Sequence, residues 1–200
     1  MGFNVGIFLF NEVEVLDFAG PFEVFSTATR VRARDMPVEA PIFNIFTVAQ
    51  QPGLIRARGG LAVSPAFTFG NHPLIDVLII PGGVVTAELD RAAVVNWISQ
   101  MARRAKITAS VCTGAFLLAQ AGLLRHKTAT THWEDLADLR QMFPDTTVNA
   151  EARWVDEGHI ITSAGISAGI DLSLHLVARL VNQELARRTA RQMEYDWRTA

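Results

Sequence analysis

The chain contains one cysteine, Cys112, at a position where a thiol could act as a nucleophile. Apolar residues 107–111 predict a buried strand, and residues 113–121 predict a helix, with Gly114 two places after the cysteine. This pattern is typical of a nucleophile elbow at the carboxyl edge of a sheet. The positive end of the helix is expected to lower the pKa of the thiol and to favour the thiolate. The alternative is a buried structural cysteine, which is the commoner role of a lone cysteine.

Gly82 and Gly83 follow a second predicted buried strand at residues 76–80. Glycine lets bare backbone approach a ligand, and its N–H groups can hold an oxyanion. Together with the N–H group of Thr113, these two glycines predict a backbone anion site beside Cys112. A plain strand-to-helix turn explains the same residues.

Asp17 is surrounded by apolar residues, between a first predicted strand at residues 3–10 and a helix predicted to open at residues 20–21. A charge in such surroundings is costly unless it is paired or caps a helix. One interpretation is therefore a helix N-cap. The other places the carboxyl group beside the Cys112 thiol, where burial raises its pKa and makes it a usable proton carrier. Glu23, on the following helix, is the rival candidate.

His132, which precedes Trp133, is either a general base near Cys112 or a core histidine packed on the tryptophan. The other four histidines lack ligand spacing or a nearby carboxylate. No group of ligand-type residues has zinc spacing, so we predict no metal. Neither a Gly-x-Gly-x-x-Gly motif nor a Walker loop is present, so we predict no nucleotide and no other cofactor.

Short apolar runs alternate with helical patterns along the chain, which predicts a layered α/β fold with a mostly parallel sheet. Further strands are expected at residues 43–48, 147–149, 153–156 and 159–163, with a hairpin turning at residues 58–60. Helices are expected at residues 92–102, 134–143, 170–181 and 182–200. No linker divides the chain, so residues 1–200 are predicted to form one domain.

Composition excludes several classes of protein. Half of the 200 residues are hydrophobic and 19% are charged, which is the opposite of a disordered chain. The 18 basic and 20 acidic residues give a net charge of -2, with no basic excess for nucleic acid. The N-terminus lacks a secretory signal, and no apolar run approaches the roughly 20 residues of a membrane helix. A lone cysteine fits a reducing compartment, so we expect a cytoplasmic protein with no nucleic-acid or membrane partner.

Five sequence blocks resemble the ThiJ/PfpI superfamily, also called class I glutamine amidotransferase-like: residues 15–25, 78–83, 111–115, 129–133 and 162–171. Each block alone is weakly specific, but their order and spacing over residues 3–181 are specific. The resemblance implies a flavodoxin-like three-layer sandwich with helices on both faces of the sheet. It also implies that Cys112 is the elbow cysteine and that Asp17 is the acidic residue that hydrogen-bonds its thiol. Members of the superfamily are commonly dimers, and the first helix, with Phe22, Val24, Phe25 and an exposed-looking loop at residues 31–36, is the expected contact.

Two branches of the superfamily look most similar, the isocyanide hydratases and the ligand-binding domains of AraC-type regulators. Hydratases have Asp at the position of Asp17 and Thr after the cysteine. PfpI-type peptidases carry His directly after it, and because Thr113 stands there no peptidase is predicted. The glyoxalase branch usually has Glu in the acidic position. After Gly83, residues 84–88 depart from the glycine-rich hydratase pattern, which leaves the substrate open.

The resemblance implies that thiolate Cys112 attacks an isocyanide carbon while Asp17 relays protons, first to a thioimidate and then from water, to give an N-substituted formamide. The alternative is a non-catalytic, small-molecule-sensing domain of an AraC-type regulator. Such a regulator needs a helix-turn-helix region after the sandwich, and a reading frame that continues past residue 200 would favour it. A redox-responsive role, in which Cys112 is oxidised, ranks last.

Overall fold

The computed structural model describes residues 2–35 and 40–199. Its strands, in chain order, are β1 Phe3–Leu9, β2 Phe43–Ala49, β3 Ile55–Arg56, β4 Ala62–Val63, β5 Phe67–Thr68, β6 Val77–Ile80, β7 Ile107–Val111, β8 Thr128–Ala129, β9 Thr147–Val148, β10 Trp154–Glu157 and β11 Ile160–Ser163. Its α-helices are α1 Val15–Asp35, α2 Thr86–Leu89, α3 Ala92–Ala102, α4 Gly114–Gln120, α5 Leu136–Met142, α6 Ala168–Leu180 and α7 Gln183–Gln192. Short 3₁₀ helices span Arg58–Gly60 and Trp133–Asp135.

Seven of the described strands form one sheet in the order β10-β11-β7-β6-β1-β2-β5. Every neighbouring pair is parallel except β10 and β11, which pair antiparallel at one edge. All residues of β6 and β7 are buried, as are the last five of β1. Successive strand residues point to opposite faces, so burial of all of them means that both faces of the sheet are covered. The predicted α/β sandwich with a mostly parallel sheet is confirmed.

The helices pack in two groups. Helices α1, α6 and α7 contact one another, and α2, α3 and α4 contact one another. In the parallel centre of the sheet, the carboxyl ends of β1, β6 and β7 lie at the same edge, because these strands run in the same direction in neighbouring positions. The segments that follow these three strands therefore meet, and they carry Asp17 in the first turn of α1, Gly82 in the turn after β6 and Cys112 in the turn after β7.

The start of α1 differs from the sequence prediction. The helix opens at Val15, and Pro21 lies inside it instead of in its first turn. A proline there has no N–H group to donate to the residue four places earlier, which normally disfavours a helix interior. Burial of Phe18, Val24 and Phe25 against the core offsets that cost. Asp17 is consequently part of the first helical turn, so the N-cap interpretation is wrong.

Two predicted elements, residues 92–102 and 107–111, coincide with α3 and β7. The predicted final helix is too long, because α7 ends at Gln192. The elements β5, α2 and β8, of two to four residues each, were not predicted, since such short pieces carry no readable periodicity. Within the described residues, no helix is both long and apolar enough to cross a bilayer.

The dimer contact expected on the first helix is corrected in part. Val24, Phe25 and Val31 are buried inside this chain and cannot meet a partner. Residues 31–35 belong to α1 and are not a loop, while Met36 lies outside the described residues. Leu16 and Phe22 remain 37% and 38% exposed, so they are the apolar side chains that this helix offers to a partner.

Candidate active site

Cys112 occupies a strained elbow between β7 and α4. Its φ is +57°, a left-handed conformation that non-glycine residues seldom adopt. The Thr131 hydroxyl donates to the Cys112 carbonyl at 2.9 Å and helps to hold the turn. Gly114 is required for close packing, because a Cβ atom there would lie 2.1 Å from the carbonyl oxygen of Ile80. Strain maintained by surrounding packing is common at functional sites.

Asp17 reaches this elbow from α1 and is fully buried. Its Oδ2 accepts a hydrogen bond from the Gly82 N–H group at 2.9 Å, while its Oδ1 has no hydrogen-bond partner among the described residues. Burial raises the pKa of Asp17 to about 7, assisted by the negative charge of Glu14 and opposed by the Gly82 N–H group and the neighbouring Cys112 side chain. Asp17 can therefore both hold and release a proton near neutral pH.

The Cys112 thiol is not acidic in this structure, contrary to the sequence expectation. Burial first, and the charge of Asp17 second, raise the pKa of Cys112 to about 12. The N–H groups of Thr113 and Ile166 and the Thr113 hydroxyl act in the opposite direction but are outweighed. The helix that was expected to favour the thiolate, α4, is only seven residues long. The resting pair at neutral pH is therefore a protonated thiol beside a carboxyl group that readily exchanges its proton.

The two glycines that follow β6 have different partners from those of the predicted anion site. The Gly82 N–H group donates to Asp17, and the Gly83 N–H group donates to the Thr113 hydroxyl at 2.9 Å. The same hydroxyl donates back to the Gly83 carbonyl oxygen at 2.9 Å. Neither glycine N–H group is therefore free for an oxyanion in this conformation, and the described role of the glycines is to position Asp17 and Thr113.

Both positions require glycine for close approach. A Cβ atom on Gly82 would lie 2.6 Å from the Thr113 nitrogen and 2.9 Å from Asp17 Oδ2. Gly83 has a φ of +132°, and a Cβ atom there would lie 2.2 Å from the Glu12 carbonyl oxygen. The backbone of the Pro-Gly-Gly turn therefore lies directly against the Cys112 elbow and the Asp17 carboxylate, an approach that only glycine, which has no side chain, allows.

A pocket of about 190 Å³ opens over the elbow. Its lining residues are Glu14, Arg58, Gly83, Cys112, Thr113, His132, Glu134, Asp135 and Ile166. His132 is therefore brought to the Cys112 pocket. Its Nδ1 lies 3.4 Å from Asp135 Oδ2 and 3.6 Å from Glu134 Oε2, and it accepts the Glu134 N–H group at 3.4 Å.

Neither Asp17 nor Glu23, the rival carboxylate, is among the residues that line this pocket, but Asp17 lies behind the elbow as a direct neighbour of the Cys112 thiol. Its Oε1 lies 2.7 Å from Arg30 and accepts the Thr27 hydroxyl at 2.8 Å, on a half-exposed part of α1. The structure thus brings Asp17, and not Glu23, to the thiol. The same helix contributes one buried and one solvated carboxylate, six positions apart.

Sequence reasoning missed five residues that line the pocket: Glu14, Arg58, Glu134, Asp135 and Ile166. Glu14 and Arg58 form an ion pair of 3.2 Å beside Cys112. Arg58 arrives from the small β3–β4 hairpin, and nothing in the local sequence indicates where that hairpin folds. Ile166 contributes its backbone N–H group, with a φ of +49°, and a left-handed isoleucine has no sequence signal. In the described part of the chain, no cluster of three or more His, Cys, Asp or Glu residues could hold a metal ion.

Fold and site together define an α/β protein with a cysteine elbow and a buried carboxyl partner. The family model described as the DJ-1/PfpI family matches residues 4–179. Because that match covers most of the chain, this protein belongs to the DJ-1/PfpI family.

Relatives of two kinds are similar to the chain. An isonitrile hydratase from Pseudomonas putida is 32% identical over 198 residues, covering 98% of this chain and 79% of the hydratase. The HTH-type transcriptional regulator GbdR of Pseudomonas aeruginosa is 26% identical over 193 residues, covering 96% of this chain. The chain spans about half the length of that regulator, 51%. Among solved structures, a ThiJ/PfpI family protein from Pseudomonas syringae has a TM-score of 0.85 at 30% identity, covering all of this chain and 77% of that protein.

Proposed function

We propose that this protein is a cysteine-dependent isocyanide hydratase that adds water to an isocyanide and releases an N-substituted formamide. The single observation that carries the proposal is the contact between the Cys112 thiol and the buried carboxyl group of Asp17. A nucleophile and one proton carrier are what this hydration needs. Similarity to the isonitrile hydratase over 98% of the chain supports the substrate class.

The first step forms a thioimidate. The Cys112 sulfur bonds to the isocyanide carbon, the thiol proton passes to Asp17, and Asp17 delivers a proton to the same carbon, which gives R–N=CH–S–Cys112. A pKa of about 7 suits Asp17 to this transfer, because such a group accepts and returns a proton at little cost near neutral pH. The high pKa of the resting thiol means that sulfur attack and proton transfer are coupled.

The second step consumes water. Asp17 takes a proton from the attacking water, whose oxygen bonds to the thioimidate carbon, and passes that proton to the nitrogen. The carbon–sulfur bond then breaks, the remaining hydroxyl proton passes through Asp17 to the sulfur, and the formamide R–NH–CHO leaves. The N–H groups of Thr113 and Ile166 lie at the sulfur, where they stabilise the departing thiolate.

The test follows the absorbance of an aryl isocyanide as it is converted to its formamide. We expect the wild-type protein to consume it and Cys112→Ala to reduce consumption to background while remaining folded. Glu23→Gln is the matched control, since Glu23 lies on the same helix as Asp17 and is paired with Arg30 outside the pocket. Full activity in folded Cys112→Ala would refute the proposal.

The regulator relatives favour a second candidate, in which this fold is the small-molecule-sensing part of an AraC-type protein. In that case Cys112 lies in a ligand pocket and no turnover follows binding. Calorimetric binding of a small ligand that Glu14→Gln or Asp135→Asn weakens, with no isocyanide consumption, would favour this candidate. A native reading frame that continues into a helix-turn-helix region would favour it further.

A redox-responsive role is not proposed. Oxidants react with the thiolate, and Cys112 is only 7% exposed with a raised pKa, so both requirements for a sensitive thiol are weakened.

The homodimer and the cytoplasmic location stay predictions. Phe22 on α1 lines an apolar groove of about 590 Å³ that also includes Phe18, Phe46 and Val63, and a second copy is the partner expected there. Light scattering of Phe22→Asp against the wild type tests this, with a fall from dimer to monomer mass as the expected result.

A further inference from the structure

The loop between β11 and α6 touches Cys112 directly. The carbonyl oxygens of Ser163 and Ala164 accept the Cys112 N–H group at 3.2 and 3.3 Å. Two residues further on, the Ile166 N–H group faces the sulfur and lowers the pKa of the thiol. Ile166 is in the left-handed region and more than a third exposed, so its own side chain does little to hold it there. The placement of this N–H group depends on what fixes the loop.

Arg153, next to strand β10, holds the loop at both ends. Its carbonyl oxygen accepts the Ala164 N–H group at 2.9 Å. Its Nη2 donates to the Ser167 hydroxyl at 3.3 Å, and its Nε donates to Asp171 Oδ2. The guanidinium plane therefore links the loop that carries Ile166 to the first turn of α6.

Asp171 in turn accepts hydrogen bonds from the segment of residues 195–198. The carboxylate is fully buried on α6, and its Oδ2 also accepts the Tyr195 hydroxyl at 3.0 Å. Its Oδ1 accepts the Arg198 N–H group at 2.9 Å. Both oxygens are thus occupied, which a buried carboxylate requires. The segment that follows α7 is tied through one side chain to the residue that holds the active-site loop.

We propose that Asp171, Arg153 and Tyr195 are positioning residues for the Cys112 thiol. Tyr195 and the Arg198 backbone fix the Asp171 carboxylate, the carboxylate orients Arg153, and Arg153 holds the loop so that the Ile166 N–H group points at the sulfur. None of the three lines the pocket, so they act on Cys112 through the loop alone. The inference rests on the proposed function only for its effect on turnover, because thiol reactivity is measured without any isocyanide.

The test compares Tyr195→Phe and Asp171→Asn with the wild type, using the rate of Cys112 alkylation by iodoacetamide from pH 7 to 10. We expect both variants to react more slowly at every pH, by about three- to tenfold, since one pKa unit corresponds to a tenfold change in thiolate fraction. Mere loosening of the site would have the opposite sign, because a more exposed thiol reacts faster. The other charged groups around Cys112 are unchanged in both variants: Asp17, Glu14, Arg58, His132, Glu134 and Asp135.

Arg188→Gln is the matched control. It removes the ion pair of 2.5 Å that joins α7 to Asp35 on α1, so it loosens the same end of the chain without touching Asp171. We expect its alkylation profile to match that of the wild type. If isocyanide turnover is present, Tyr195→Phe lowers kcat and leaves KM unchanged, because no pocket residue is altered.

Alkylation of folded Tyr195→Phe at the wild-type rate or faster would overturn the inference. If Asp171→Asn does not fold, Tyr195→Phe decides alone, since it removes one hydroxyl and no charge. Slower alkylation in a protein that consumes no isocyanide would support the positioning role and refute the hydratase. Isocyanide turnover by the wild type, together with wild-type alkylation of Tyr195→Phe, would support the hydratase and refute the positioning role.

Discussion

Asp17 and Asp171 are both fully buried, yet their surroundings differ in one decisive respect. Both oxygens of Asp171 accept hydrogen bonds, and Arg153 supplies a positive charge. Asp17 accepts one backbone N–H group, its Oδ1 has no hydrogen-bond partner in the described part of the chain, and the Cys112 thiol is its neighbour. The hydrogen-bonded carboxylate of Asp171 holds structure, whereas burial of the less completely bonded Asp17 raises its pKa and lets it move a proton. The two side chains are equally buried and differ in the number of donors and in the positive charge of Arg153.

The largest expected effect is on turnover by Asp17→Asn. The amide keeps the shape of the side chain but cannot carry a proton between sulfur, carbon and water. We expect isocyanide turnover to fall by about 100- to 10,000-fold, the range for general acid–base catalysis. Steady-state kinetics measure it, with Glu23→Gln at the wild-type rate as the control. Turnover within threefold of wild type would show that Asp17 is not the proton carrier.

The next effect is on the pH dependence of stability. The pKa of Asp17 is raised from 3.8 to about 7, so the folded protein binds its proton more tightly than the unfolded chain does. Its stabilising contribution is complete below pH 4, falls as the pH rises from 4 to 7 and is lost above 7, a change on the order of 4 kcal/mol. We therefore expect the free energy of unfolding of Asp17→Asn, relative to wild type, to increase between pH 4 and 7 and then to level off.

Urea unfolding of both proteins at four pH values between 4 and 8 measures this difference, in which the titrating groups that do not interact with Asp17 cancel. Glu23→Gln should show no such trend. A difference between Asp17→Asn and wild type that does not vary with pH would contradict the raised pKa, and with it the contrast between the two carboxylates.

A smaller effect is expected on the stability of Asp171→Asn. The variant leaves Arg153 without its charged partner and weakens the hydrogen bonds from Tyr195 and Arg198. Because Arg153 is a quarter exposed, we expect a loss of about 2 kcal/mol, below the full cost of breaking a buried pair. Urea unfolding checks it. A variant as stable as wild type would show that Asp171 is not a structural anchor.

The smallest effect is expected on the stability of Glu23→Gln. The side chain is half exposed, and its partners Thr27 and Arg30 can still donate to the amide oxygen. We expect the free energy of unfolding to change by no more than about 0.5 kcal/mol. A larger loss would mean that the contrast between buried and solvated carboxylates on α1 is less sharp than the contacts indicate.

Much of the fold was predictable because its elements carry strong local signals. Helix α3 and strand β7 matched their predicted bounds, since an apolar stripe and an unbroken β-rich run are each unambiguous over their lengths. The start of α1 was not predictable in the same way, because a proline such as Pro21 normally lies in the first turn of a helix. The helix begins earlier, at Val15, because burial of Phe18 and Phe25 against distant parts of the chain stabilises the extra turns. The prediction of one domain over residues 1–200 stays a prediction.

Residue types and their order along the chain determined the α/β class, the elbow at Cys112 and, through family resemblance, its pairing with Asp17. Tertiary structure alone decided that burial raises the pKa of the thiol. It also decided that the N–H groups of Gly82 and Gly83 donate to Asp17 and Thr113. Finally, it brought Arg58 and Ile166 to the pocket. The physical reason is that a pKa or a hydrogen bond depends on neighbours in space. Such neighbours come from distant parts of the chain, and their distances are set only when the sheet and its loops close together.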